Sequence, residues 1–317
     1  MEIQMARTGA GLRELGHTVE KCERLGRDEG FDLLHAFGAE PDAWHFLSHW
    51  RINRTPLVVS PVVVVSPGIP ELILRVESLL PIKTGGRMKA EVVRQADALV
   101  VPSQYERRIV TRALGADGSK TFLIPNGAEP FADPPERPLE AVPDGPFVLM
   151  VGTVSRRKRQ ADVLRAVAGV SPVVVAGGFD GTAAERSEWE EAVRSSGAIW
   201  LGEVRDRGRI AELQRTSAAL IHFSGAEAQS LGVMETLAAG TPVLLSDIPS
   251  HRELQEAYPE YVRIARSPGE LPALVRPLLS ERPDAPPPAV PTWSDVARWL
   301  EEIYRRVLAG SGERLRQ

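Results

Sequence analysis

Short apolar runs rich in β-branched residues alternate along the chain with longer stretches in which apolar positions recur at helical spacing. The runs are FDLLHAFG, TPLVVSPVVVV, ADALVVPS and TFLIPNG in the first half, then FVLMVGT, SPVVVAGG, AIWLGEV, AALIHFS and TPVLLSD. Strands separated by helices in this way predict parallel sheets and an α/β fold class. Runs such as PVVVA carry no polar alternation, which fits strands covered by helices on both faces.

Proline clusters twice, in EPFADPPERPLEAVPDGP (129 to 146) and in SERPDAPPPAVP (280 to 291), and such stretches favour extended connections over packed structure. The first is read as a linker between a domain over 1–143 and a second over 144–292. After the second cluster, TWSDVARWLEEIYRRVL places Val296, Leu300, Ile303 and Val307 on one helical face. The segment 293–317 is therefore expected to be an amphipathic helix docked on another element. Helix starts are expected from capping-box spacing at Ser103 to Glu106, Thr182 to Glu185, Ser250 to Glu253 and Ser187 to Glu190. Near the start, LRELGHTVE reads as a first helix turning into a strand, yet no strand precedes that helix. A doubly wound domain opens on a central strand. Its loss would leave two interior neighbours without backbone partners, so either the coding sequence extends upstream or the domain is degenerate.

At 317 residues the chain suits about two domains. With 43% apolar and 25% charged residues and a formal charge of −4, it has the balance of a globular protein and no basic excess that would point to nucleic acid. The single cysteine, Cys22, cannot form an internal disulfide, and the N-terminal MEIQMARTGAG lacks the basic start and apolar core of a secretion signal. A cytoplasmic home is expected. The longest apolar run, Pro56 to Val65, is read as buried strand, since it falls far short of the roughly 20 residues that span a bilayer. That leaves room for loose contact with a membrane surface.

The candidate chemistry sits in two loops. EAQSLGVMETLAAGTPV (227 to 243) follows the strand AALIHF and leads into a helix, so Glu227 lies at the C-terminal end of a parallel strand, where open α/β sheets bind ligands. Ser230 is placed to cap that helix. The amides from Leu231 onward then face a phosphate or a sugar hydroxyl, and Glu235 follows one turn further on. The second loop, VGTVSRRKRQ, sets Arg156, Arg157, Lys158 and Arg159 side by side after a strand. Adjacent cations repel one another, which calls for an anion nearby, and Arg with Lys suits a diphosphate.

Residues 97 to 253 resemble the family 4 retaining glycosyltransferases (glycosyl transferases group 1). ADALVVPSQYE, FLIPNGAEPF, FVLMVGTVSRRKRQADVL and the long block from LGEVRDRGR to TPVLLSD are similar, in order, to the family's motifs, including its pair of glutamates eight positions apart. The resemblance implies the GT-B fold: two Rossmann-like domains with a cleft between them, the first here lacking its opening strand, and a final helix returning to the first domain. It implies sugar transfer from a nucleotide-diphosphate sugar to a carbohydrate, lipid-linked or small-molecule acceptor, with retention and with neither metal nor cofactor. Position by position, Glu227 would face the donor sugar, Glu235 the ribose, Arg157 and Lys158 the diphosphate, and Ser230 and Leu231 the donor through helix amides. Gly152 and Thr153 stand where the family's basic-pair motif begins, and Val204 where it holds the base by its backbone. His35, ending the strand DLLH, is a candidate for the acceptor side. Two departures are visible: EAQSLG replaces the usual EGFGLP, and Val62 stands about where many members place a histidine.

Other signals carry less. His45 and His49 have a metal-like spacing but no third ligand, AGGFDG lacks the nicotinamide-binding pattern, and no Asp-x-Asp occurs to hold a divalent ion. Two rival readings remain open. One is a donor-binding partner subunit with impaired catalysis; the other is a sugar-nucleotide epimerase or phosphorylase of the same fold.

Overall fold

A computed structural model describes residues 2–22, 30–50, 55–66, 68–128 and 142–314. It divides into two compact units, one over Met1–Gly127 with Pro291–Gln317 and one over Ala128–Val290. The proline-rich residues 129–141, most of the expected linker, lie outside the described residues.

The first unit begins with α1 (Glu2–Glu14), which closes on Gly16 in the left-handed conformation that a residue without Cβ adopts freely. Residues 17–22 form no strand, so the strand expected in GHTVE is absent among the described residues. Four parallel strands follow in the order β1 (Leu34–Phe37), β2 (Leu57–Ser60), β3 (Ala98–Val101) and β4 (Thr121–Leu123). The interior gap expected from a lost first strand does not arise: β1 is an edge of the described sheet and its neighbours are contiguous. Helices α2 (Pro41–Trp50), α3 (Ile69–Leu79), α4 (Gly85–Gln95) and the short α5 (Gln104–Arg108) enclose a core of Val59, Leu99, Val101, Ile109 and Leu114.

The run PVVVV does not extend β2. Pro61 brings no amide, and Val62 takes φ +51°, a backbone that β-branched residues rarely adopt. The Val63 amide then donates to the carboxylate of Glu106 at 2.6 Å instead of to a strand. That contact also halves the first expected capping box: Ser103 Oγ accepts the Glu106 amide at 3.2 Å, but the Glu106 side chain is engaged elsewhere. Glu106 is fully buried, and burial pushes its carboxyl up to about 8 despite the Val63 hydrogen bond.

The final helix, α12 (Trp293–Arg314), belongs to this unit and packs against α1. Val296, Leu300, Ile303 and Val307 are all buried along it. A Cβ on Gly11 of α1 would stand 2.9 Å from the Ala297 Cβ, so the crossing needs glycine there.

The second unit is a six-stranded parallel sheet in the order β10-β9-β8-β5-β6-β7. In sequence it runs β5 (Val148–Val151), α6 (Gln160–Val167), β6 (Val173–Ala176), α7 (Ala183–Ser196), β7 (Ile199–Trp200) and α8 (Arg207–Thr216). It continues with β8 (Ala219–His222), α9 (Leu231–Ala238), β9 (Val243–Ser246), α10 (Pro249–Ala257), β10 (Val262–Ala265) and α11 (Leu271–Leu278). The order reverses between β5 and β8, the topological switch point at which such sheets open a ligand crevice beyond the strands' carboxyl ends. Val148, Val175, Ala219 and Leu244 are fully buried, as strands covered on both faces require. β10 has no counterpart among the expected strands, because the edge sequence VRIA exposes Arg263 and interrupts the apolar run.

Of the capping boxes in this unit, Thr182 with Glu185 forms in full. Ser187 lies inside α7 with its hydroxyl on the Ala183 carbonyl, and Glu190 pairs with Arg186. Ser250 is not a cap either: Pro249 takes the first helical position of α10 and Ile248 the cap.

Candidate functional site

The loops after β5 and β8 meet at the switch point, and the contacts between them are built around Arg157 and Glu227. The Gly225 amide donates to the Arg157 carbonyl at 2.9 Å, joining the loops through the backbone. Arg157 Nη1 donates to Glu227 Oε1 at 2.7 Å and to Ser224 Oγ at 3.2 Å, and also reaches the Ala226 carbonyl. The same oxygen of Glu227 accepts from Nε2 of His222 at 3.3 Å. Burial would raise the Glu227 pKa. The His222 hydrogen bond and the charges of His222, Arg157 and Lys158 outweigh it and hold the carboxyl well below the usual carboxylate range. Glu227 is thus a buried, ionised and oriented carboxylate at the carboxyl end of the sheet.

Lys158 stands beside it on the 3-10 turn Arg156–Lys158. A Cβ built on Gly152 would lie 2.7 Å from Lys158 Nζ, and Gly152 itself has φ +113°. Glycine at 152 therefore both accepts the backbone conformation and leaves room for the ammonium. Burial lowers the Lys158 pKa; the Glu227 charge pulls it back up and that of Arg157 lowers it further. Thr153 is exposed, and its carbonyl accepts from Gln160 Nε2 at 3.0 Å while Gln160 Oε1 accepts the Ser155 amide at 3.2 Å. Buried Gln160, the first residue of α6, thus fixes the basic loop from behind.

Ser230 occupies the N-cap position of α9, but its side chain accepts no helix amide, contrary to the expected cap. The entering segment is held from another side, by Ser250 Oγ donating to the Glu227 carbonyl at 2.7 Å. Leu231 opens α9, and Glu235 is buried one turn along it, ion-paired with Arg207, the first residue of α8. Val204 lies half-buried in the loop before α8, packed on the core.

Glu227, Arg157, Lys158, Gly152, Thr153, Ser230, Leu231, Glu235 and Val204 all belong to the second unit, whereas His35 lies in the first. There His35 meets Tyr304 OH at 2.5 Å through Nδ1 and Ser60 Oγ at 2.9 Å through Nε2, and stacks on Phe37 at 4.3 Å. Burial pushes its pKa down to about 3, so the ring is neutral with both nitrogens engaged. His45 makes an edge contact with Trp44, and the side chain of His49 is outside the described residues. Among the described residues no group of His, Cys, Asp and Glu is placed to hold a metal ion.

Four contributors stand outside the expected site residues: His222, Ser250, Gln160 and Arg207. Ser250 reads in the sequence as a helix cap, and Arg207 stands just after the N-cap Asp206 in VRDRGR. Behind the site, Ser246 Oγ donates to the Ser224 carbonyl at 2.6 Å and the Ser246 carbonyl accepts from His251 Nδ1 at 2.9 Å. Burial, reinforced by the charge of His222, pushes His251 down to about 3. A cavity of about 510 Å³ lined by Pro146, Phe147, Ala218 and Arg282 lies at the opposite, amino-terminal ends of β5 and β8 and touches none of these residues.

The family described as Glycosyl transferases group 1 matches residues 135–285, and that described as Glycosyl transferase 4-like domain matches residues 2–127. Among solved structures, the chain is similar to sucrose-phosphate synthase from Thermosynechococcus elongatus, with TM-score 0.67 and 22% identity over 89% of this chain and 75% of that one. It is also similar to AviGT4, a glycosyltransferase involved in avilamycin A biosynthesis, with TM-score 0.63 and 20% identity over 97% and 89%. A third likeness is to HepE from Anabaena in complex with UDP-glucose, with TM-score 0.60 and 17% identity over 89% and 78%. No curated protein matches the chain in sequence.

Proposed function

Because this chain belongs to the glycosyl transferases group 1 and has their GT-B fold, we propose that it moves a sugar from a nucleotide-diphosphate donor to an acceptor hydroxyl, with retention at the anomeric carbon and without a metal ion. The observation that carries the reading is the meeting of ionised Glu227 with Arg157 and Lys158 at the switch point between β5 and β8. In the proposed reaction the bond from the anomeric carbon to the diphosphate oxygen breaks, and the electron pair leaves with the phosphate. The acceptor oxygen attacks from the same face, and its proton passes to the departing phosphate oxygen. Lys158 and Arg157 meet the charge that develops on the leaving group; preorganised donors of this kind contribute about 10²–10³ in rate each. Glu227, held from two sides, orients the sugar and steadies its positive charge rather than attacking it. Glu235 on α9 serves the ribose, the amides from Leu231 the donor, and the backbone at Val204 the base.

One observation favours a second reading, a donor-binding subunit without turnover. His35 has both ring nitrogens taken by Tyr304 and Ser60, and Val62, standing where many members place a histidine, itself carries no group able to move a proton. A thermal-shift and hydrolysis panel of uridine, guanosine, adenosine and thymidine diphosphate sugars separates the two, and the UDP-glucose complex of HepE puts uridine first. A donor at about 100 times its dissociation constant stabilises by roughly 2.7 kcal/mol. Slow donor hydrolysis that falls about 10²-fold in Glu227→Gln supports the transferase. Stabilisation with no hydrolysis or transfer supports the subunit, and no shift with any donor removes both.

A further inference from the structure

We propose that the outer face of α3 and the turn after it are a docking surface for an anionic lipid bilayer. Leu72, Ile73, Val76, Leu79, Leu80 and Ile82 are exposed, Leu79 by 66%, Ile82 by 62% and Leu72 by 59%. Apolar residues scattered singly over a surface are ordinary; six within eleven positions are not. At about 100° per residue, Leu72, Ile73, Val76, Leu79 and Leu80 fall within one arc of the helix and its cap. The other side of the helix is satisfied within the unit. Leu74 enters the core, and Ser78 Oγ donates to the Arg75 and Ala113 carbonyls at 2.8 Å each.

The charges distinguish the occupant. Both carboxylates of α3 are engaged in the protein: Glu71 pairs with Arg108 at 3.5 Å, and Glu77 Oε2 accepts the Gly86 amide at 3.1 Å. The charged groups exposed beside the apolar arc are Arg75 and, just beyond Ile82, Lys83, whose Nζ lies over the Trp44 ring at 4.7 Å and keeps its charge unneutralised there. Cations flanking an apolar stripe complement a bilayer carrying acidic headgroups, into which the side chains insert while the cations remain at headgroup level. A second copy fits less well, because an isologous contact across this face would bring its own cations together. No helix of the described residues is long and apolar enough to cross a membrane, so the contact lies in the plane of the interface. The inference does not rest on the transferase reading.

Flotation of the full chain with extruded vesicles tests it. Vesicles of phosphatidylcholine with one-third phosphatidylglycerol are expected to carry the protein, and pure phosphatidylcholine much less. A cation near an anionic surface contributes about fivefold in partitioning, so the double variant Arg75→Glu/Lys83→Glu should lose at least about 25-fold. The triple variant Leu72→Ser/Leu79→Ser/Ile82→Ser should abolish flotation while leaving donor-induced stabilisation and the melting temperature unchanged. The wild-type chain supplies an independent reading, since its binding should weaken steeply as salt is raised about tenfold, from roughly 0.05 to 0.5 M. Failure to float on anionic vesicles, or flotation indifferent to salt, lipid charge and the serine triple, overturns the proposal. So does a concentration-dependent dimer that the triple variant abolishes, because it assigns the face to a second copy.

Discussion

Gly152→Ala isolates what the position of Lys158 contributes. Two effects can be worked separately from the structure. The backbone at 152 has φ +113°, which a residue with a Cβ adopts only under strain of order 1–3 kcal/mol. The new methyl would also lie 2.7 Å from Lys158 Nζ, against an ordinary contact of about 3.5–4.0 Å, so the ammonium must retreat by about 1 Å. Retreat is cheap for the tip of a lysine and consequential for chemistry, where 1 Å of misplacement can cost about 10². Expected, then, are a melting point lowered by a few degrees and a fall of about 10² in kcat/KM for whichever donor the panel identifies, equivalent to about 2.7 kcal/mol. Lys158→Ala in the same background supplies the control: if displacement of the ammonium is the cause, the double variant is no slower than Lys158→Ala alone. Wild-type turnover in Gly152→Ala, or losses that simply add in the double variant, would refute the reasoning. Gly177→Ala is the contrasting case, because its Cβ would stand 2.1 Å from the Gly152 carbonyl oxygen, which is backbone and cannot swing away. That variant should fail to accumulate as folded protein.

Arg207→Ala removes the guanidinium from a Glu235 side chain that is only 8% exposed. Since Arg207 itself is 30% exposed, the cost is placed at about 1–3 kcal/mol, below that of a fully buried pair. Urea unfolding measures it, Arg207→Lys should recover part, and a change under about 0.5 kcal/mol would remove Arg207 from the account. Glu106→Gln addresses pH. Burial raises the folded carboxyl to about 8 from its ordinary 4.5, so the unfolded chain releases this proton first, and stability is lost as pH rises from 4.5 through 8. The amide keeps an oxygen for the Val63 amide. The variant should match wild type near pH 4.5 and exceed it at pH 8 by on the order of 2–4 kcal/mol, and equal melting curves at both pH values would show that Glu106 does not titrate this way.

Regular elements with covered strands were legible because continuous apolar runs have one physical explanation. The exceptions are local: VRIA carries no strand signal because an edge strand tolerates an exposed arginine, and PVVVV reads as continuous strand although a buried carboxylate from a distant helix makes a turn at Val62. Glu227 could be singled out from its place at the carboxyl end of a parallel strand and the basic loop from its four adjacent cations, while the choice of Arg157 and Lys158 among the four came from the family resemblance. Their partners could not. His222, five positions before Glu227, carries no sequence sign of its partner, Ser250 reaches the Glu227 carbonyl only once α10 is in place, and Arg207 meets Glu235 only across two helices. By itself, then, the sequence determined the period of each element, the two-domain organisation suggested by length and proline, and the loops able to carry charge. Tertiary structure alone decided which capping glutamates are caps, which oxygen each cation holds, and that His35 is a neutral ring between two hydroxyls. Periodicity and chain composition are properties of neighbours in sequence, while ionisation and hydrogen-bond partnership depend on burial beside residues tens to hundreds of positions away.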